Sequence, residues 1–101
     1  MSTKTATPIR RLSGWQGKAT LYKLSEQLEG NTHVIVSAVD LSSRYMRHPD
    51  DTTPNYMLIE TDIFAATEDG EVADWMELPG SQKGTLDHAE ALRGAGYEVA
   101  A

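Results

Sequence analysis

Glu60 and Asp62 stand two residues apart in LIETDIF, and on a strand that spacing turns both carboxylates to one face. Paired carboxylates are what acid–base cleavage of a glycosidic bond needs, but the same spacing is commonplace in strands that do no chemistry. Asp87 and His88 are adjacent, and Ser81 or Thr85 would be the hydroxyl to complete an acid–base–nucleophile set. Consecutive helical residues point in different directions, however, and Asp and His at helix ends are ordinary capping and dipole choices. His48, Asp50 and Asp51 lie close together, while His33 and His88 are elsewhere. With no His-x-x-x-His or Glu-x-x-His spacing, no zinc or iron ligand set can be written. An EF-hand aligned by its fixed glycine on Gly70 puts Ala65 and Thr67 at ligand positions and Met76 at the required Glu, so it fails. Nucleophile-elbow, P-loop and dinucleotide fingerprints do not occur. No catalytic, cofactor-binding or metal-ligating residue is assigned, and the expectation is a non-enzymatic protein without a cofactor.

Contact chemistry is easier to find. Residues 42–54 (SSRYMRHPDDTTP) form a long polar loop, and Arg44, Tyr45, Met46 and Arg47 cluster in it. Aromatics, Met and Arg are enriched at protein interfaces, so this cluster is a candidate protein-contact site, against the alternative of an idle hairpin tip. Trp15, between Gly14 and Gly17, either anchors the N-terminal region by burying its indole or offers an exposed contact. Trp75 is the remaining candidate contact residue.

The elements that must position these residues follow from periodicity. Residues 56–66 read as a strand, with Met57, Ile59, Thr61, Ile63 and Ala65 forming a mostly apolar set. The opposite set, Tyr56, Leu58, Glu60, Asp62 and Phe64, is acidic in the middle and at most partly covered. Glu68-Asp69-Gly70 supplies a hairpin turn, and residues 72–78 return as the partner strand, ended by Pro79-Gly80. Trp75 takes the parity opposite to Val72, Asp74 and Met76. Thr85 is the expected N-cap of a short helix with Leu86, Ala89 and Leu92 in its apolar stripe, and Gly94 the expected C-terminal cap. Residues 18–24 predict a first strand and residues 29–31 a turn. The near-continuous apolar run at 33–41 (HVIVSAVDL) predicts a central strand covered on both faces, by a helix on one and by a second layer or partner on the other. Residues 97–100 add a further edge strand.

The chain has 101 residues, which fits a single domain. It contains no Cys, so disulfides and thiol chemistry are excluded. No signal-like or membrane-spanning apolar run is present, and a soluble protein is expected. Charge is segregated. Lys4, Arg10, Arg11, Lys18 and Lys23 precede every one of the 15 acids. Between His48 and Gln82 no Lys or Arg occurs. The acidic body is either a solvated face or a surface for a basic partner. Direct nucleic-acid binding is disfavoured by that acidity, whereas an acidic imitation of DNA remains an alternative.

The segments TPIRRLSGWQGKATLYKLSEQLEGN, VIVSAV, IFAATEDGEVADWMELPGS and LDHAEALRGAGYEV resemble small uncharacterised proteins of mycobacteriophages and other actinobacteriophages. The resemblance covers most of the chain and rests on the Glu-Asp-Gly turn, Asp74-Trp75, Leu78-Pro79-Gly80, Asp87-His88 and Gly96-Tyr97. Residues 42–54 depart from it by their length. It implies a phage source and residence in the host cytoplasm, and carries over no activity, cofactor or catalytic residue. The expected fold is α+β: an antiparallel sheet of about four strands with one short C-terminal helix packed on it. Residues 1–13 are expected to be a flexible basic arm, and residues 14–101 the single domain. The expected role is that of an accessory protein binding a host or phage protein, with a minor virion or assembly component as the alternative. The two-sided apolar strand also leads to the expectation of a homodimer.

Overall fold

The computed structural model describes residues 4–15, 17–40 and 58–100. Its framework is the hairpin of β2 (Lys18–Leu28) and β3 (Asn31–Asp40). Glu29 and Gly30 link them with φ of 52° and 83°, the two positive values that let a two-residue turn follow the strands' twist. The Asn31 side-chain amide donates to the carbonyls of Leu28 and Glu29, both at 3.1 Å, which holds that turn closed. β4 (Ile59–Ala66) pairs antiparallel with β3 in unbroken register from His33 opposite Ala66 to Asp40 opposite Ile59.

The far side of β4 is covered by one interrupted edge. β5 (Val72–Glu77) pairs with its second half, and β6 (Gln82–Lys83) with its first. Between them the chain leaves the sheet at Pro79-Gly80, and the ladder is patched. The Ile63 N–H donates to the Ser81 hydroxyl at 2.9 Å, and that hydroxyl donates to the Leu78 carbonyl at 2.9 Å. Gly80 is required there: its φ is 102°, and a Cβ would stand 2.7 Å from the Ala91 carbonyl oxygen and 2.9 Å from Ile63 Cδ1.

The helix α1 (His88–Gly94) lies on one face. Asp87, rather than Thr85, is its N-cap, the carboxylate accepting the Ala89 N–H at 2.9 Å. Thr85 serves one step earlier, accepting the Asp87 N–H and donating to Glu90. Gly94 is the last helical residue, and Gly96, at φ 99°, makes the reversal expected of it. The Gly96 and Tyr97 N–H groups bond back to Arg93 and Leu92, a Schellman ending. That ending drops Tyr97 into the core beside Leu92. Beyond it, β7 (Glu98–Val99) runs parallel to β1 (Thr5–Leu12) at the far edge.

Two expectations need correction. The α+β class holds, but among the described residues the sheet has seven strands in the order β5-β4-β3-β2-β1-β7 with β6 on β4, not about four. The segment read as a flexible arm contributes β1, paired with β2 from Ala6 opposite Leu24 to Leu12 opposite Ala19. Its basic composition concealed a strand because Arg10 and Arg11 stay exposed while Ala6 is fully buried. Register shifts between Pro8 and Arg10, and Ile9 is left half-exposed there.

The core lies mainly under the helix. Tyr22, Leu24, Val34, Val36 and Ile63 meet Ala91, Leu92 and Tyr97 on that face. On the opposite face Ala19, Leu21, Ile35 and Ala66 form a smaller cluster, bordered by Leu12, Trp15 and Val72. No helix among the described residues is long and apolar enough to cross a membrane.

An aromatic and acidic groove on the open face

The β3–β4 register places Ile35 opposite Phe64, Ser37 opposite Asp62 and Val39 opposite Glu60, all on the face away from α1. Glu60 and Asp62 therefore share a face, as their spacing requires, and Phe64 extends that row. Trp75 arrives from β5, whose pairing with β4 shifts register twice and frees its indole from strict alternation. Trp15 arrives from the β1–β2 connection. That connection lies against β3 because residue 17 is glycine: a Cβ there would stand 2.0 Å from the Ala38 carbonyl oxygen.

The three rings form a closed set. Phe64 and Trp75 meet edge to face with centroids 5.4 Å apart, Trp15 and Trp75 are 5.7 Å apart, and Trp15 and Phe64 6.2 Å. Trp15 takes an intermediate position between the two placements weighed for it. It is half-buried against the smaller core cluster and also lines the open groove. Trp75 is 68% exposed and Met76, next to it, 75%. The groove measures about 680 Å³, within the usual size range of ligand clefts, and Glu60, Asp62 and Glu71 supply its charged walls.

A second hollow, about 220 Å³, shares Glu60 and Asp62 and adds Glu77 and Lys83. Asp62 is only 8% exposed. Burial, followed by the charges of Glu60 and Glu77 and hydrogen bonds with both, pushes its carboxyl from 3.8 up to about 7. Lys83 Nζ donates to Glu60 Oε2 at 2.9 Å, which raises the lysine's own pKa. No ion pair among the described residues reaches Asp62 itself.

The Asp87 and His88 side chains bond to different partners. Asp87 caps the helix. His88 is buried, with Nε2 3.0 Å from the Lys18 carbonyl oxygen and Nδ1 3.3 Å from the Tyr22 hydroxyl. A carbonyl can only accept, so Nε2 carries the proton and Nδ1 accepts from Tyr22. Burial lowers the His88 pKa and keeps the ring neutral in this arrangement. The Ser81 and Thr85 hydroxyls are both engaged with backbone groups. Among the described residues no three His, Asp or Glu side chains are placed to hold a metal ion.

Of the six candidate contact residues, Trp15 and Trp75 are brought together. Arg44, Tyr45, Met46 and Arg47 lie outside the described residues. Phe64, Glu71 and Glu77 were missed as site residues. Phe64 shares the parity of Glu60 and Asp62, a signal present in the sequence. Glu77 reaches Asp62 only through a shifted register, which periodicity does not reveal.

No curated protein and no solved structure matches the chain. A family of unknown function, DUF7572, matches residues 4–98, and the chain belongs to that family.

Proposed function

We propose that this protein is a non-enzymatic binding module that engages a partner protein through the open face of its sheet. One observation carries the reading: a clustered trio of aromatic rings, with Trp75 largely exposed, lines an open groove beside buried and half-buried carboxylates. Tryptophans and tyrosines dominate the energetics of protein interfaces, and an exposed Trp–Met pair has little value to an isolated domain. The resemblance to actinobacteriophage proteins supports a setting in the cytoplasm of an infected host, where the partner is a host protein. The virion alternative draws on residues 1–13 reaching a neighbouring subunit, and is weakened by the pairing of Thr5–Leu12 within this chain's own sheet.

The test is affinity purification of the tagged protein from infected host cells, run in parallel with Trp75→Ala. The expected result is a host protein retained by the natural sequence and lost from the variant. Equal recovery on both would show that the open face is not the contact surface. Capsid or tail proteins as the Trp75-dependent partners would move the protein to the particle.

A further inference from the structure

We infer that the groove is a receptor for an arginine side chain presented by a basic segment of the partner, its guanidinium stacked against the Trp15–Phe64–Trp75 rings and paired with Asp62 and Glu60. This rests on the protein-binding reading above and adds the chemistry of the occupant.

Charge complementarity carries the argument. Among the described residues, the charged ones lining the groove, Glu60, Asp62 and Glu71, are all acids. Two described cations stand at its edges and both are engaged: Lys83 is exposed and bonded to Glu60 on the side of the second hollow, and Arg10 donates to the Asp69 carbonyl beside Gly70. An apolar occupant would leave Asp62 buried under it with only carboxyls as hydrogen-bond neighbours, which is costly. A cation removes that cost. Indole faces attract cations through their ring quadrupole, most strongly where water is partly excluded. Asp62 and Glu60 stand two and four residues before Phe64 on the same face of β4, and all three line the one groove.

Arginine fits this combination better than lysine. Its guanidinium is flat enough to stack on an indole and forks to two acceptors at once, whereas an ammonium is a compact, strongly hydrated point charge. The high proton affinity of Asp62 agrees with a site built for a positive charge, and no ion pair among the described residues supplies one to it. The groups facing that carboxyl are Glu60 on β4, Glu77 on β5 and Lys83 on β6, so the surroundings carry a net negative charge before any ligand arrives.

Both tryptophans of the chain line the groove, so intrinsic fluorescence reports on it directly. The probe is a short, terminally blocked peptide of alternating arginine and glycine, titrated against the same peptide with citrulline or lysine in place of arginine. The expected result is a saturable fluorescence change with the arginine peptide, weaker with lysine and absent with citrulline. Asp62→Asn and Trp75→Ala should each weaken binding by about tenfold or more. Asp62→Asn keeps its shape and hydrogen-bonding capacity, so its loss of binding is not a folding defect, and a circular dichroism spectrum verifies that.

Equal binding of the citrulline peptide would overturn the guanidinium assignment while leaving a protein-binding groove. Free arginine binding as tightly as the peptide would overturn the peptide source. Concentration-dependent self-association abolished by Trp75→Ala would put a second copy of this chain in the groove and overturn the assignment to a foreign segment. No fluorescence response to the arginine peptide would overturn the inference, and the Trp75-dependent capture described above would still decide the broader reading on its own.

Discussion

The two faces of one sheet use the same strands for opposite purposes. Beneath α1, β2, β3 and β4 present Tyr22, Val36 and Ile63 to the helix, and the polar atoms there are matched pairwise. The His88 ring bridges Tyr22 and Lys18, the Tyr97 hydroxyl donates to the Glu26 carbonyl at 2.8 Å, and Thr61 Oγ1 donates to the Thr85 carbonyl at 2.7 Å. On the other face the same strands present Ile35, then Phe64, then carboxylates; Leu12, Trp15 and Val72 pack beside Ile35, and no helix among the described residues lies over this face. The closed face is built to be stable. The open face keeps exposed rings and crowded acids that a stability-driven design would remove, which is the pattern expected of a surface held ready for a partner.

The sharpest way to break this contrast is a deletion on the closed face. Leu92 is fully buried between helix and sheet. Leu92→Ala should cost about 2–5 kcal/mol, read as a lowered midpoint in denaturant at unchanged slope. A loss below about 1 kcal/mol would mean that the helix contributes little to holding the sheet.

The open face should respond in the opposite direction. Asp62 holds its proton to about pH 7 when folded, against 3.8 ordinarily, so between those values the folded chain binds more protons than the unfolded one. The contribution of Asp62 therefore favours folding at low pH and is lost as pH rises through about 7. Asp62→Asn, which cannot ionise, should raise stability at pH 8 by on the order of 1 kcal/mol and leave it nearly unchanged at pH 4. Thermal melts of both proteins across that range are the check, and a destabilised variant at pH 8 would show that the carboxylate has a favourable partner after all.

Trp75→Ala tests the same face by size rather than charge. The ring touches Trp15 and Phe64 but is mostly in water, so its removal should cost about 1 kcal/mol, far less than Leu92→Ala despite the larger deletion. A loss comparable to that of Leu92→Ala would make the aromatic trio a second core rather than a contact surface. The smallest effect is expected at Lys83. Its side chain is half exposed, and Lys83→Met should cost below about 1 kcal/mol, diminishing further in high salt.

Much of this was legible in the chain. Alternation over residues 59–66 gave both faces of β4, and the two-sided run at residues 33–41 predicted a central strand covered on both faces, where Val34 to Ala38 are all buried. Local chemistry likewise set the Glu29-Gly30 turn and a short helix near the C-terminus. The helix ends were misplaced by one or two residues, because Thr85 and Asp87 are both good caps and only the backbone path shows which one closes the first turn. β1 was missed because Thr7 to Arg11 are all exposed and Ala6 alone is buried, so no apolar stripe marks it.

What the sequence determined by itself is the set of local choices: which residues alternate, where turns reverse, and that acids and tryptophans are present. Their assembly belongs to the tertiary structure. Trp15, Phe64 and Trp75 meet only because Gly17 lets the β1–β2 connection press on β3 and because β5 shifts register against β4. Those are contacts between segments distant in sequence, fixed by sheet register and steric fit, and periodicity along one segment holds no information about either.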